Sequence, residues 1–470
     1  MQASSEETHR GTGWITAALL LGLFTTSFPS TILTIAVQPI AEDLNALPST
    51  VVWVTTAPLL AAAVSTPLFG RLGDIYGHRR VYLVGIVIAM VFALGSALAW
   101  NATSLIMART LSQTGAAATV PTAVAMLFRA SPPGQRVRAS ARIGATTSAA
   151  AVIGVVVGGP LVDLVGWRAI FVGQVGLCAG ALILSLIVTP ADPGKRARSS
   201  LDVPGALALA VATLTLTFGI NRLAVWGWSP VPVACLVIAP LALRVLVLVE
   251  RRAVSPLLPV RVLGSHNVRV ITGATVLVGA GYMGNFVVTP LYLQGVLGLT
   301  AAVTSLLTVP RALSIVLAAP TAGRAAMRFG ERRVALMAGI ALTLALAVMA
   351  VGGLVSSLVV VAIAIALSGY AVGHLNPSLL SAQGSAVDER DVGLAASLQQ
   401  TGFQVGAVIG IGLFTALAGD ATDDGPFALV FLLTAACSLA ATLVLVRMQD
   451  TSKPAAPHSA PPRIPGDSGS

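Results

Sequence analysis

From near residue 14 to residue 447 the chain alternates between long apolar runs and short intervals rich in arginine and turn residues. Each run is about 20 residues long, enough for a helix to cross the ~30 Å hydrocarbon core of a bilayer. Fourteen runs can be counted, at 14–37, 50–70, 81–100, 103–128, 139–162, 168–189, 203–222, 231–249, 270–293, 301–322, 334–354, 357–380, 393–418 and 426–447. Backbone polar groups inside hydrocarbon must bond among themselves, so the runs are predicted to be helices. The stretch from Gln449 to Ser470 is rich in Pro, Ser and Ala and is predicted to be a disordered tail.

Composition turns this pattern into a class. The chain is 56% hydrophobic and only 10% charged, against roughly a quarter charged in ordinary soluble domains. An all-α polytopic membrane protein follows. A net charge of +10 would suit a nucleic-acid partner, but the basic residues cluster in alternate loops, as membrane topology requires. Arg71, Arg79, Arg80, Arg129, Arg142, Arg269, Arg324, Arg332 and Arg333 fall on one side. The opposite loops hold Arg168 and Arg222 beside Asp43, Asp163, Asp423 and Asp424. An even number of spans with this bias predicts both termini in the cytoplasm, a plasma-membrane location and no nucleic-acid partner. The first run is too long for the core of a cleavable signal and is read as the first span.

Cys178, Cys235 and Cys437 lie inside apolar runs without metal or redox spacing, and are predicted to be free thiols that pack as small apolar groups. Neither a zinc-protease helix motif nor paired carboxylates nor a phosphate-cradling glycine loop is found. No enzyme, cofactor or metal is therefore expected, and any work must be driven by a gradient.

One polar interval organises the chain. Gly70-Arg71-Leu72-Gly73-Asp74-Ile75-Tyr76-Gly77-His78-Arg79-Arg80 returns as Gly323-Arg324-Ala325-Ala326-Met327-Arg328-Phe329-Gly330-Glu331-Arg332-Arg333, with five of eleven positions identical. Paired glycines are expected to let two backbones approach in a tight charged hairpin. Asp74 can pair with arginines or a helix N-terminus and so act as a conformational lock; Met327 replaces it in the second copy. The repeat resembles the signature loop of the major facilitator superfamily. That resemblance implies two pseudo-symmetric six-helix bundles, 14–189 and 270–447, around a central substrate cavity. A cytoplasmic N-terminus at 1–13 and a tail at 448–470 would flank them. The segment 190–269 would hold linkers and two extra helices, an arrangement that resembles the 14-span drug:proton antiporter branch.

Other residues fit the same branch. Thr31-Ile32-Leu33-Thr34-Ile35-Ala36 resembles its first-helix signature, and Arg109 with Gln113 approximates a motif built on a buried arginine. Gly154, Gly158, Gly159 and Pro160 resemble its antiporter motif, in which small residues permit close helix contact. The resemblance implies a monomeric secondary transporter that exports amphipathic drugs, antibiotics or a secondary metabolite by alternating access, coupled to protons.

Intramembrane polar groups are costly and mark pathways. Arg109, Arg311 and His374 are candidates on that ground; His374 could titrate near neutral pH or simply bond between helices. Trp53, Tyr282, Asn285, Phe286, Gln294, Tyr370, Phe403 and Gln404 are expected to line a mixed aromatic and amide cavity. The branch usually places an aspartate where Pro29 stands, and no acid falls within a span interior. An uncoupled facilitator or importer of a small metabolite therefore stays open beside the exporter, and neutral or anionic substrates gain ground over cations.

Overall fold

Wherever the chain reads as an apolar run, its backbone is helical. The computed structural model describes residues 2–130, 136–190, 203–252, 262–387, 392–419 and 423–449. The expected tail beyond Gln449 and most of the loop before Val203 lie outside the described residues. Sixteen α-helices follow in order among the described residues. The first eight are α1 (Gln2–Asp43), α2 (Pro48–Val51), α3 (Trp53–Tyr76), α4 (His78–Ala97), α5 (Ala102–Ala116), α6 (Thr119–Ala130), α7 (Arg136–Val165) and α8 (Arg168–Val188). The second eight are α9 (Val203–Trp226), α10 (Pro230–Arg252), α11 (His266–Gly295), α12 (Ala301–Phe329), α13 (Glu331–Leu354), α14 (Leu358–Gly384), α15 (Val392–Ala418) and α16 (Asp424–Leu445).

Helical segments stand at all fourteen expected positions, with α2 and α3 making the second and α5 and α6 the fourth. Among the described residues eleven of them are long and apolar enough to cross a membrane. Of the other three, the fourth carries Arg109 and is divided at Ala117–Ala118, and the apolar stretches described in α7 and α9 are Ala149–Val165 and Leu207–Ile220. Buried hydroxyls are kept cheap by bonding back to their own helix, as Thr289 Oγ1 does to the Asn285 carbonyl and Thr415 Oγ1 to that of Ile411.

The repeated signature is not the loop that its polarity suggests. α3 runs to Tyr76 and α4 starts at His78, so a single residue, Gly77, turns the corner with φ +101°. Gly330 does the same between α12 and α13 with φ +84°. Both angles are in the region that side chains disfavour. The first glycine of each pair has another status. A Cβ on Gly70 would find only Pro121, at 3.6 Å, and one on Gly323 would find nothing within 4 Å. Among the described residues, neither position meets a closely approaching backbone.

Packing repeats between the halves. In the first half α1 packs on α7 and α8, α4 on α5 and α8, and α3 on α5; in the second α11 packs on α15 and α16, α13 on α14 and α16, and α12 on α14. The halves meet reciprocally through α7 on α12 and α3 on α15. The extra helices α9 and α10 pack on each other, and α9 lies along both α3 and α15, beside that seam. There Trp53 packs on Phe218 with ring centroids 6.3 Å apart, and Arg222 lies over Phe218 and Trp226.

The apolar cores show how the halves are joined. The largest draws on both, with Ile32, Val51, Val155 and Phe171 from one and Tyr292, Ala301, Phe414 and Phe431 from the other. It sits toward the end remote from the arginine-rich signature. Toward the arginine-rich end the cores are separate. Leu19, Tyr82, Leu127 and Cys178 belong to a first-half cluster, and Ile271, Leu342, Leu375 and Leu445 to a second-half cluster.

Candidate functional site

Between the shared core and the two separate ones lies a cavity of about 620 Å³, within the range that holds drug-sized ligands. Its wall takes α1, α3, α5 and α7 from the first half and α11, α12, α14 and α15 from the second, which are corresponding helices of the repeat. Each helix contributes one face. On α11 these are Tyr282, Met283, Phe286 and Val287, and on α12 Thr308, Arg311, Ala312 and Ile315, the spacing of a single helical stripe.

Two arginines face this space. Arg109 is 1% exposed, and its NH2 donates to Ser30 Oγ at 3.3 Å. Arg311 is 2% exposed, and its NH2 donates to Asn285 Oδ1 at 3.0 Å. Nε and NH1 of both guanidinium groups are buried without a hydrogen-bond partner. Arg311 also lies over two ring faces, 5.1 Å from the centroid of Phe286 and 5.7 Å from that of Tyr282, which offsets part of its desolvation. Gln113 is on the wall with Oε1 buried and unpartnered. Among the described residues the wall carries no Asp, Glu or His.

Several expected wall residues lie elsewhere. Asn285 stands behind Arg311 and orients it. Trp53 packs toward α9, and Gln404 is half-buried on α15 off the wall. Gln294 donates to the Ile35 carbonyl at 2.9 Å and so ties the halves together. His374 is turned off the wall: Nδ1 meets the Tyr370 carbonyl and Nε2 Thr321 Oγ1, each at 3.0 Å, and its ring lies tilted against the exposed Tyr370 ring, centroids 4.4 Å apart. Phe403 does line the cavity, as do Asn376 and Pro377. Pro29 is buried, and its neighbours Ser30 and Thr31 reach the cavity in its place.

The glycine-rich face of α7 packs on α1 of its own half and, at Gly159, on α12 of the other. A Cβ on Gly154 would meet the Phe28 carbonyl at 3.0 Å, and one on Gly158 the Ile32 side chain at 2.9 Å. One on Gly159 would come within 2.3 Å of the Ala301 carbonyl. Ser305 of α12 enters the α7 ladder here: its Oγ donates to the Val155 carbonyl and accepts from Gly159 N–H. Pro160 follows inside the helix, which continues to Val165. One turn on, Asp163 Oδ2 accepts from Ala302 N–H at 2.7 Å, at the N-terminus of α12, where a carboxylate is favoured. Ser305 was not singled out by sequence, since nothing in one dimension pairs α7 with α12. At the same end Arg168 pairs with Asp43 at 2.6 Å.

The signature arginines bind helix ends. Arg79 donates from Nε to Thr189 Oγ1 at 3.0 Å and from NH2 to the Leu186 carbonyl at 3.1 Å, at the close of α8. Arg332 donates to the Val446 carbonyl at 3.0 Å, at the close of α16. Cations belong at helix C-termini, and the two halves use the same device. Arg80 and Arg333 are exposed. Asp74 lies in the last turn of α3, and its side chain is outside those described.

The sequence profile of the Major Facilitator Superfamily matches residues 19–303 and again 271–465. The tetracenomycin C resistance and export protein of Streptomyces glaucescens is 31% identical over 88% of this chain and 78% of its own length. A cephamycin export protein of Amycolatopsis lactamdurans is 33% identical over 88% of this chain and 87% of its own. A lincomycin resistance protein of Streptomyces lincolnensis is 28% identical over 97% and 96%. Among solved structures, a partially occluded inward-open conformation of the E. coli xylose transporter superposes with TM-score 0.65 at 12% identity, over 95% of this chain and 99% of that one. A peptide transporter reaches 0.69 at 15% identity, over 92% and 93%. These structural likenesses speak to the fold.

Proposed function

Because this chain belongs to the major facilitator superfamily it is a membrane transporter, and we propose that it exports antibiotics or related amphipathic metabolites by alternating access. The observation that carries the direction is similarity along most of the chain to proteins named for export of tetracenomycin C and of cephamycin. Basic loops stay in the cytoplasm, so the arginine-rich end and both termini are placed there, in the plasma membrane. With the halves sealed at the remote end, the cavity stands on the side from which an exporter loads.

The seal would part as α7 slides from α12, while Arg79 and Arg332 keep the last helix of each half moving with its bundle. Asp74, Arg80 and Arg333 belong to the corner that would reclose the cytoplasmic end. Coupling to protons needs an ionisable group, and Asp163, whose carboxylate accepts from Ala302 N–H across the seam, is the candidate. The acid-free wall favours a second reading, an uncoupled facilitator. In pump-deficient bacteria that express the chain, efflux of a preloaded fluorescent amphipath is expected to stop when an uncoupler collapses the proton gradient. Efflux that continues down its concentration gradient at the same rate supports the facilitator and sinks the antiporter.

A further inference from the structure

We infer that the cavity selects amphipathic organic anions, drawn by the charges of Arg311 and Arg109, with the ring system laid against the apolar wall around Phe286. The inference rests on the exporter reading and adds the chemical class of its cargo.

Both arginines are almost wholly buried, and each makes one hydrogen bond to a neutral acceptor while Nε and NH1 stay unpartnered. A buried donor left unmade is costly, more so when charged. The described wall supplies no carboxylate to answer either cation. A carboxylate, sulfonate or ionised phenol supplies what is missing, because guanidinium forks match such acceptors in geometry as well as charge. A cationic amphipath would meet two positive charges in a low-dielectric cavity with no counter-charge, which is discrimination by repulsion. The rest of the wall decides between a small inorganic anion and an organic one. Leu59, Met283, Ile315 and Ile411 give it an apolar surface that a bare ion cannot use, and the partly exposed Phe286 beside them suits an aromatic body. Gln113 Oε1, also unpartnered, would accept from a hydroxyl on the same molecule.

Two dyes with one ring system separate the charge from everything else: anilinonaphthalene sulfonate and its uncharged parent, phenylnaphthylamine. Ethidium serves as the cation. In cells expressing the chain, the sulfonate is expected to leave faster than either of the others relative to empty-vector cells. Arg311→Gln is expected to slow sulfonate efflux about tenfold or more, the scale of a lost charged hydrogen bond, and to slow phenylnaphthylamine efflux far less. Arg311→Lys should fall between, keeping the charge without the fork. Residual phenylnaphthylamine efflux and membrane abundance report folding of the variants, and the dye preference of the unaltered protein needs no variant. Equal or faster efflux of phenylnaphthylamine or ethidium by the unaltered protein overturns the anion inference and leaves export standing. Failure to move any of the three dyes overturns the export reading, and the inference with it.

Discussion

At the signature corner, two glycines that look equivalent in sequence face different physical demands. Gly77 and Gly330 hold positive φ, where a Cβ costs roughly 1–2 kcal/mol, so Gly77→Ala and Gly330→Ala should each lower the melting temperature of the purified protein. Gly70 and Gly323 lie inside α3 and α12 with room for a methyl group. Alanine there should be neutral or stabilising by up to about 1 kcal/mol, the helix-propensity difference. Equal destabilisation at all four positions would contradict this division. If Gly70→Ala keeps stability yet slows transport, the close approach belongs to the other state of the cycle. A similar separation applies to the arginines: depth along a span is legible in sequence, whereas the neighbours that leave Arg311 half-satisfied are not.

Among elements, the contact between α7 and α12 carries the most specific chemistry. Gly159 lets the Ala301 backbone in, and Ser305 occupies a rung of the α7 ladder. Ser305→Ala removes one hydroxyl and should cost about 1 kcal/mol, with transport largely kept, because Val155 and Gly159 can bond to each other. Gly159→Val forces the helices apart and should cut efflux at least tenfold at unchanged membrane abundance. Normal efflux by Gly159→Val would mean that this contact is not part of the cycle. Amphipathic stripes on α11 and α12 are legible as periodicity once the cavity is known. Before that, a helix surrounded by lipid and protein is apolar on most faces, and its wall face does not stand out.

For the molecule as a whole, the largest apolar core joins the two halves at the end remote from the signature. The proposed alternating access requires that end to open. With Cys178, Cys235 and Cys437 replaced, Val155→Cys and Ser305→Cys, which meet across the same seam, bridged by a short thiol cross-linker should stop efflux, and a cleavable linker should restore it on cleavage. Full efflux with the bridge complete would show that the halves need not part there. The extra pair α9 and α10 flanks the other seam, between α3 and α15, where Trp53 and Phe218 meet, so a residue expected in the cavity serves this flank instead.

Helix positions, the two-fold repeat, the segregation of charge to one side and the buried arginines follow from the sequence by itself. The reason is that a bilayer is a slab: run length, charge placement and spacing are read along one coordinate and map onto depth in the membrane. Rotation of each helix about its axis and the choice of neighbour are not on that coordinate. They depend on contacts between segments far apart in the chain, and only the tertiary structure decided them. That is why Gln294 ties the halves, His374 turns away from the wall, and Ser305 and Asp163 join α7 to α12. The same packing brings Arg109 and Arg311 to one cavity without an acid on its described wall, and so sets the charge that its cargo should carry.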